Sequence, residues 1–179
     1  MSRPYGVQAA VLAGNSIDAS ICAHSGTTVE RRFAAADLPR LRDAGALDGS
    51  QLTARFAFSR FEGRIAIDGE LQGTIALPCQ RCAKPFELPV DEQFRLIVAR
   101  EAKDLDEEPG GYEAVLADPV RLDLQVLAED QALLALPLVP RHPVEDCDAQ
   151  IAAAVEPAPV ESQPTQKPFG DLRDLMRKR

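Results

Sequence analysis

Between Ile65 and Cys79 the odd positions read Ile65, Ile67, Gly69, Leu71, Gly73, Ile75, Leu77 and Cys79, while Arg64, Asp68, Glu70, Gln72 and Thr74 fall on even ones. A helix brings residues back to the same face about every 3.6 positions, so a strict period of two over this length calls for extended chain with one apolar face. The neighbouring segments repeat it. Leu52, Ala54, Phe56 and Phe58 alternate with Thr53, Arg55 and Ser59, and Phe86, Leu88, Val90, Phe94, Leu96 and Val98 alternate with Glu87, Asp91 and Arg95. Strands this close in sequence pair as an antiparallel meander, which predicts a sheet with one buried and one wet face.

The buried face needs a cover. Asp123 to Leu136 carries the clearest helical signals: Asp123 at the capping position, a stripe of Leu124, Leu127 and Leu134 with Val126 and Leu133 beside it, and Pro137 as the stop. A shorter helix is expected from Asp37 to Ala44, capped by Asp37 with Pro39 in its first turn. The fold class that follows is α+β, an antiparallel β-sheet (meander) packed by one main helix. At 179 residues the chain suits one domain of roughly 100 to 200 residues with a tail. Six of its 14 prolines lie from Pro140 to Pro168, where they remove backbone donors and little apolar material is available to bury. The organisation read from this is a core domain over 1–150, a Pro/Ala-rich linker over 151–167 and a short basic amphipathic segment over 168–179.

Charge and hydropathy exclude several classes. A net charge of −8 with 45% apolar residues fits neither a disordered chain nor a general nucleic-acid binder. No run approaches the roughly 18 apolar residues of a membrane span, and Met1 to Ala13 lacks a signal-peptide core. The expected setting is the cytoplasm, with no membrane partner. In that reducing compartment four cysteines read as thiols, ligands or catalytic groups rather than a disulfide framework. The acidic stretch from Asp104 reads as a solvated loop.

The sharpest chemical feature is Cys79-Gln80-Arg81-Cys82, a pair that can clasp one tetrahedral ion from a tight turn. His142 and Cys147 would complete a structural Cys₃His set for Zn²⁺, and ordinary thiols beside a surface imidazole are the competing reading. A redox role would call for an electropositive helix terminus, which this strand end does not offer. Cys22 and His24, with one spacer, fit a metal loop poorly. Two histidines and no Gly-x-Ser-x-Gly leave little for hydrolysis. Glu129 and Asp130 point about 100° apart on a helix, and are expected to solvate its outer face. At the C-terminus Phe169, Leu172 and Met176 stand at i, i+3 and i+7, with Arg173, Arg177, Lys178 and Arg179 interleaved or following. This reads as a docking helix too short to stand alone, which orders on a partner or folds back onto the body.

Taken together, Leu77 to Phe86, Ala128 to His142, Cys147 and the terminal Pro168-Phe169 segment resemble, in order, the YceD family of large ribosomal RNA subunit accumulation proteins. The likeness runs from about residue 52 to the end; Cys79, Arg81, Cys82, Pro85, Glu129, Asp130, Leu136, Pro137, Pro140, His142 and Cys147 match its pattern. It implies a role in synthesis, processing or stability of 23S rRNA, without an established catalytic activity, and the chain is expected not to be an enzyme. An acidic body repels an RNA backbone, so the expected partner is a ribosomal protein or large-subunit assembly factor, with rRNA touched indirectly or locally. The alternatives are a metal-assisted ribonuclease using Glu129, Asp130 and His142, and a zinc-stabilised nucleic-acid-binding module.

Overall fold

The computed structural model describes residues 14–105, 109–143 and 147. Five strands form the main sheet in the order β2-β3-β4-β5-β6: β2 (Thr28–Ala34), β3 (Gln51–Phe61), β4 (Arg64–Pro78), β5 (Pro85–Ala99) and β6 (Glu113–Leu116). Two short strands, β1 (Ser16–Ile17) and β7 (Leu122–Asp123), pair antiparallel beside it. The helices are α1 (Ala19–Ser25), α2 (Pro39–Asp43) and α3 (Leu124–Leu134). This is the expected α+β architecture, and β3, β4 and β5 form the expected meander. The linker over 151–167 and the segment over 168–179 lie outside the described residues.

The alternation reads correctly onto the sheet. Leu52, Ala54, Phe56 and Phe58 of β3, Ile65, Ile67, Leu71, Ile75 and Leu77 of β4, and Val90, Phe94, Leu96 and Val98 of β5 are all buried in one cluster. Leu41 of α2, Cys22 of α1, and Leu124, Leu127, Ala128 and Ala132 of α3 complete it. Gly69 stands in register between Phe56 and Phe94. Their rings meet edge to face at 5.9 Å, and a Cβ at Gly69 would lie 2.0 Å from the Phe94 ring. Glycine is there because the Phe94 ring occupies the space a Cβ would take.

Three details depart from the sequence reading. The sheet is not wholly antiparallel, because β6 joins β5 in parallel. Such a connection must cross over, and Arg100 to Tyr112 provides it. The second face is not uniformly wet: Ala66, Ile97 and Tyr112 form a small cluster against Phe61. Arg95 lies 3.9 Å from the Tyr112 ring centroid and donates to Asp68 (3.2 Å) and to the Gly110 carbonyl (3.1 Å), strapping the crossover down. The main helix also turns differently. Asp123 does cap it, accepting from the Gln125 and Val126 amides, but Leu134 is 70% exposed and the buried stripe runs through Leu124, Leu127, Ala128 and Ala132. Small alanines let α3 approach the sheet closely, which leaves the larger Leu134 at the edge.

The second helix is capped from afar. Asp37 accepts from the Ala34 amide and so serves the short turn before α2 rather than α2 itself. The residue preceding α2, Leu38, has no side-chain acceptor to offer. The orphan amides of Arg40 and Leu41 donate instead to Glu129 Oε1 of α3, at 2.7 and 3.2 Å.

Candidate metal centre

Strands β4 and β5 end at facing prolines, Pro78 and Pro85. The pairing ends at these two residues, neither of which has an amide to extend it, and Cys79 to Lys84 form a compact knuckle. Its ends are tied by Cys79 N to the Lys84 carbonyl (2.9 Å) and Ala83 N to the Cys79 carbonyl (2.8 Å). Ala83 sits at φ 61°, a left-handed conformation that costs a residue with a Cβ roughly 1–2 kcal/mol. The turn aims both sulfurs inward: Cys79 is 2% and Cys82 4% exposed.

The other half arrives after α3. The Gln80 amide donates to the Pro140 carbonyl at 2.9 Å, which pins the following segment against the knuckle. His142 Nε2 then lies 3.6 Å from Cys82 Sγ, and Cys147 Sγ lies 4.0 Å from Cys79 Sγ. All four donor atoms fall within 4.8 Å of one another. Phe86 packs on the cysteines and stacks at 5.8 Å from the His142 ring, shielding one side.

These separations test the fit to a metal. Tetrahedral sulfurs at about 2.3 Å from an ion stand about 3.8 Å apart, and a sulfur and an imidazole nitrogen about 3.5 Å. The observed 4.0 and 3.6 Å are close to those values, so the Cys₃His cluster can hold one ion with little rearrangement. Four protein ligands leave no open coordination position, which is the arrangement of structural rather than catalytic sites.

The electrostatics point the same way. Burial pushes the Cys79 thiol up, but amides of Arg81, Cys82 and His142 directed at its sulfur outweigh burial and bring it down to about 6. Among them the Arg81 amide donates at 3.4 Å. Cys147 is pushed up to about 11, by burial first and then by the neighbouring Cys82 and Cys79 sulfurs. Several sulfurs crowded this way disfavour additional anions, and a cation at their centre reverses that preference.

Cys79, Cys82, His142 and Cys147 are therefore brought together as the spacing suggested. Cys22 is buried within α1, where burial and then Asp18 raise its thiol, and His24 is exposed in the last turn of that helix. Phe169, Leu172, Arg173, Met176, Arg177, Lys178 and Arg179 lie outside the described residues. The expectation that Glu129 faces solvent is wrong. It is 3% exposed, and besides the two α2 amides its Oε2 accepts from Arg40 Nε at 2.8 Å, while Arg40 Nη1 reaches Asp130 at 2.6 Å. Sequence reasoning missed Arg40 altogether. The only signal in the sequence was a carboxylate inside a family-like motif, because Asp37 looked like the cap of the short helix that Glu129 serves.

A family model described as "Large ribosomal RNA subunit accumulation protein YceD" matches residues 67–176, more than half of the chain. A Haemophilus influenzae (strain ATCC 51907 / DSM 11121 / KW20 / Rd) protein named "Large ribosomal RNA subunit accumulation protein YceD" is 29% identical over 150 residues, covering 82% of this chain and 86% of its own. No solved structure matches.

Proposed function

This chain belongs to the YceD family, and from that premise we propose that it is a non-enzymatic ribosome-biogenesis factor needed for accumulation of large-subunit 23S rRNA, acting in the cytoplasm through a protein partner. The observation that carries the reading is the order and extent of the match, which takes in both halves of the Cys₃His cluster and the Glu129-Asp130 pair. Among the described residues no helix is long and apolar enough to cross a membrane.

The geometry supports binding over cleavage. A ribonuclease built on Glu129, Asp130 and His142 needs carboxylates free to move protons at a reacting bond. Glu129 is instead committed to Arg40 and two amides of α2, Asp130 shares the same guanidinium, and His142 faces Cys82. Zn²⁺ in the Cys₃His site would supply a cross-link, tying the β4–β5 hairpin to the segment after α3. Cys79, Cys82, His142 and Cys147 would hold it.

Partner choice follows from charge. A body within a chain of net −8 attracts a basic ribosomal protein or assembly factor and repels naked RNA, leaving rRNA contacts to local cations such as Arg173, Arg177, Lys178 and Arg179. The test is affinity capture of the tagged protein with and without ribonuclease, alongside the ratio of 23S to 16S rRNA on depletion. Depletion should lower that ratio, and a ribosomal protein should survive ribonuclease. An unchanged ratio overturns the role, while loss of every ribosomal protein after ribonuclease overturns the protein partner.

A further inference from the structure

A groove with a largely apolar lining runs between the edge strand β6 and α3, a cavity of 340 Å³ walled by Leu96, Val115, Leu127, Leu133 and Leu134. β6 is the edge strand of the sheet, and the last turns of α3 form the opposite wall. Glu113 and Asp130 stand in its lining, and Asp130 already shares Arg40. Leu134 at 70% exposure leaves a large apolar side chain uncovered at the margin. An apolar trough with carboxylates beside it fits an amphipathic basic segment.

We infer that the occupant is the chain's own C-terminal segment, 168–179, seated with Phe169, Leu172 and Met176 toward the groove. Three observations meet here. Phe169, Leu172 and Met176 stand at i, i+3 and i+7, with Leu175 beside them at i+6, a spacing that gathers them on one helical face. Its charges complement the groove: Arg173, Arg177, Lys178 and Arg179 against Asp171 and Asp174 give a net +2 (4 minus 2), facing Glu113 and Asp130. The tether also has the right length. Leu134 lies six residues before Pro140 (140 minus 134), whose carbonyl is held by Gln80 at the knuckle. Six residues reach at most about 22 Å, so the groove is close to where Cys147 is anchored. Phe169 follows Cys147 by 22 residues (169 minus 147), and a coil of that length spans about 26 Å on average. Extended, the same 22 residues reach up to about 75 Å, so the segment can come to the groove without strain in the tether.

The docked tail and the rRNA contact proposed for the same cations are alternative states of the segment, and the two readings are tested separately, since the 23S ratio can fail while the docking holds. The test places a photoreactive benzoylphenylalanine at position 169 of the full-length protein and maps the cross-links by mass spectrometry. The expected result is cross-links within one chain to residues 113–115 or 131–134, with a yield independent of dilution. Cross-links between chains that rise with concentration make a second copy the occupant and overturn the inference, as do cross-links elsewhere or none. Leu172→Asp with Met176→Asp should raise amide exchange severalfold at 113–116 and 131–134 while the β3–β4 ladder keeps its protection. Unchanged exchange in the groove, with the ladder intact, also overturns it.

Discussion

The two ends of β4 close in opposite ways. At its start the chain reverses through two residues, Glu62 and Gly63, both with positive φ (49° and 80°), and Phe61 pairs directly with Arg64. This is the turn whose twist matches that of paired strands, and every residue it needs is adjacent in sequence. At its far end six residues separate Pro78 from Pro85, and the buried sulfurs there find their companions 60 residues away at His142 and 68 away at Cys147. The first end pays almost no loop entropy; the second closes a long loop and needs a strong interaction to hold it. One strand thus runs from a turn written locally to a junction assembled from distant parts, and a cation among four ligands is the interaction that suits the second.

On the proposal that Zn²⁺ occupies the Cys₃His cluster, the largest effect expected from breaking the distant end is loss of metal. Structural zinc contributes roughly 10–16 kcal/mol of apparent binding energy in small peptides. Cys82→Ser, or a strong chelator, should therefore remove one equivalent of zinc and lower the urea midpoint by an amount worth several kcal/mol. Elemental analysis and unfolding with and without chelator check it; equal midpoints would remove the contrast between the two ends. The Glu129 clasp is the second distant closure, 89 residues from Arg40. Glu129→Ala strands the α2 amides and a guanidinium that is half exposed, so a loss of about 2–3 kcal/mol is expected in urea unfolding. A loss under about 0.5 kcal/mol would show that α2 does not depend on it.

Exchanging small residues between the ends sharpens the comparison further. Gly63→Ala puts a Cβ into a left-handed turn residue and should cost about 1 kcal/mol, read as a lower melting temperature without loss of metal. Ala83→Gly relieves the same conformation at the knuckle, offset in part by greater unfolded-chain entropy, and should be neutral to stabilising by about 0.5 kcal/mol. If both substitutions move stability in the same direction, backbone strain does not distinguish the two turns.

How much of this was legible follows from the range of each interaction. The strands and their buried face were readable because side-chain alternation is a property of neighbouring residues. The Cys₃His cluster was readable as a set because Cys79 and Cys82 carry a short-range spacing, although the spacing alone could not say that His142 meets Cys82 while Cys147 meets Cys79. Glu129 was misread because its burial depends on Arg40 and α2, which nothing near it in the chain announces. Leu134 was misread because the face α3 presents is chosen by how closely Ala128 and Ala132 let it approach the sheet, a fact of packing.

By itself, then, the sequence determined the alternating strands, the tight Glu62-Gly63 turn, the Asp123 cap and the half-knuckle at Cys79 and Cys82, each governed by backbone preferences and side chains a few residues apart. Tertiary structure alone decided the parallel seat of β6, the capping of α2 by Glu129 and the convergence of four ligands on one point. Those depend on which distant surfaces bury one another, and the energies that select them appear only when the chain has closed on itself.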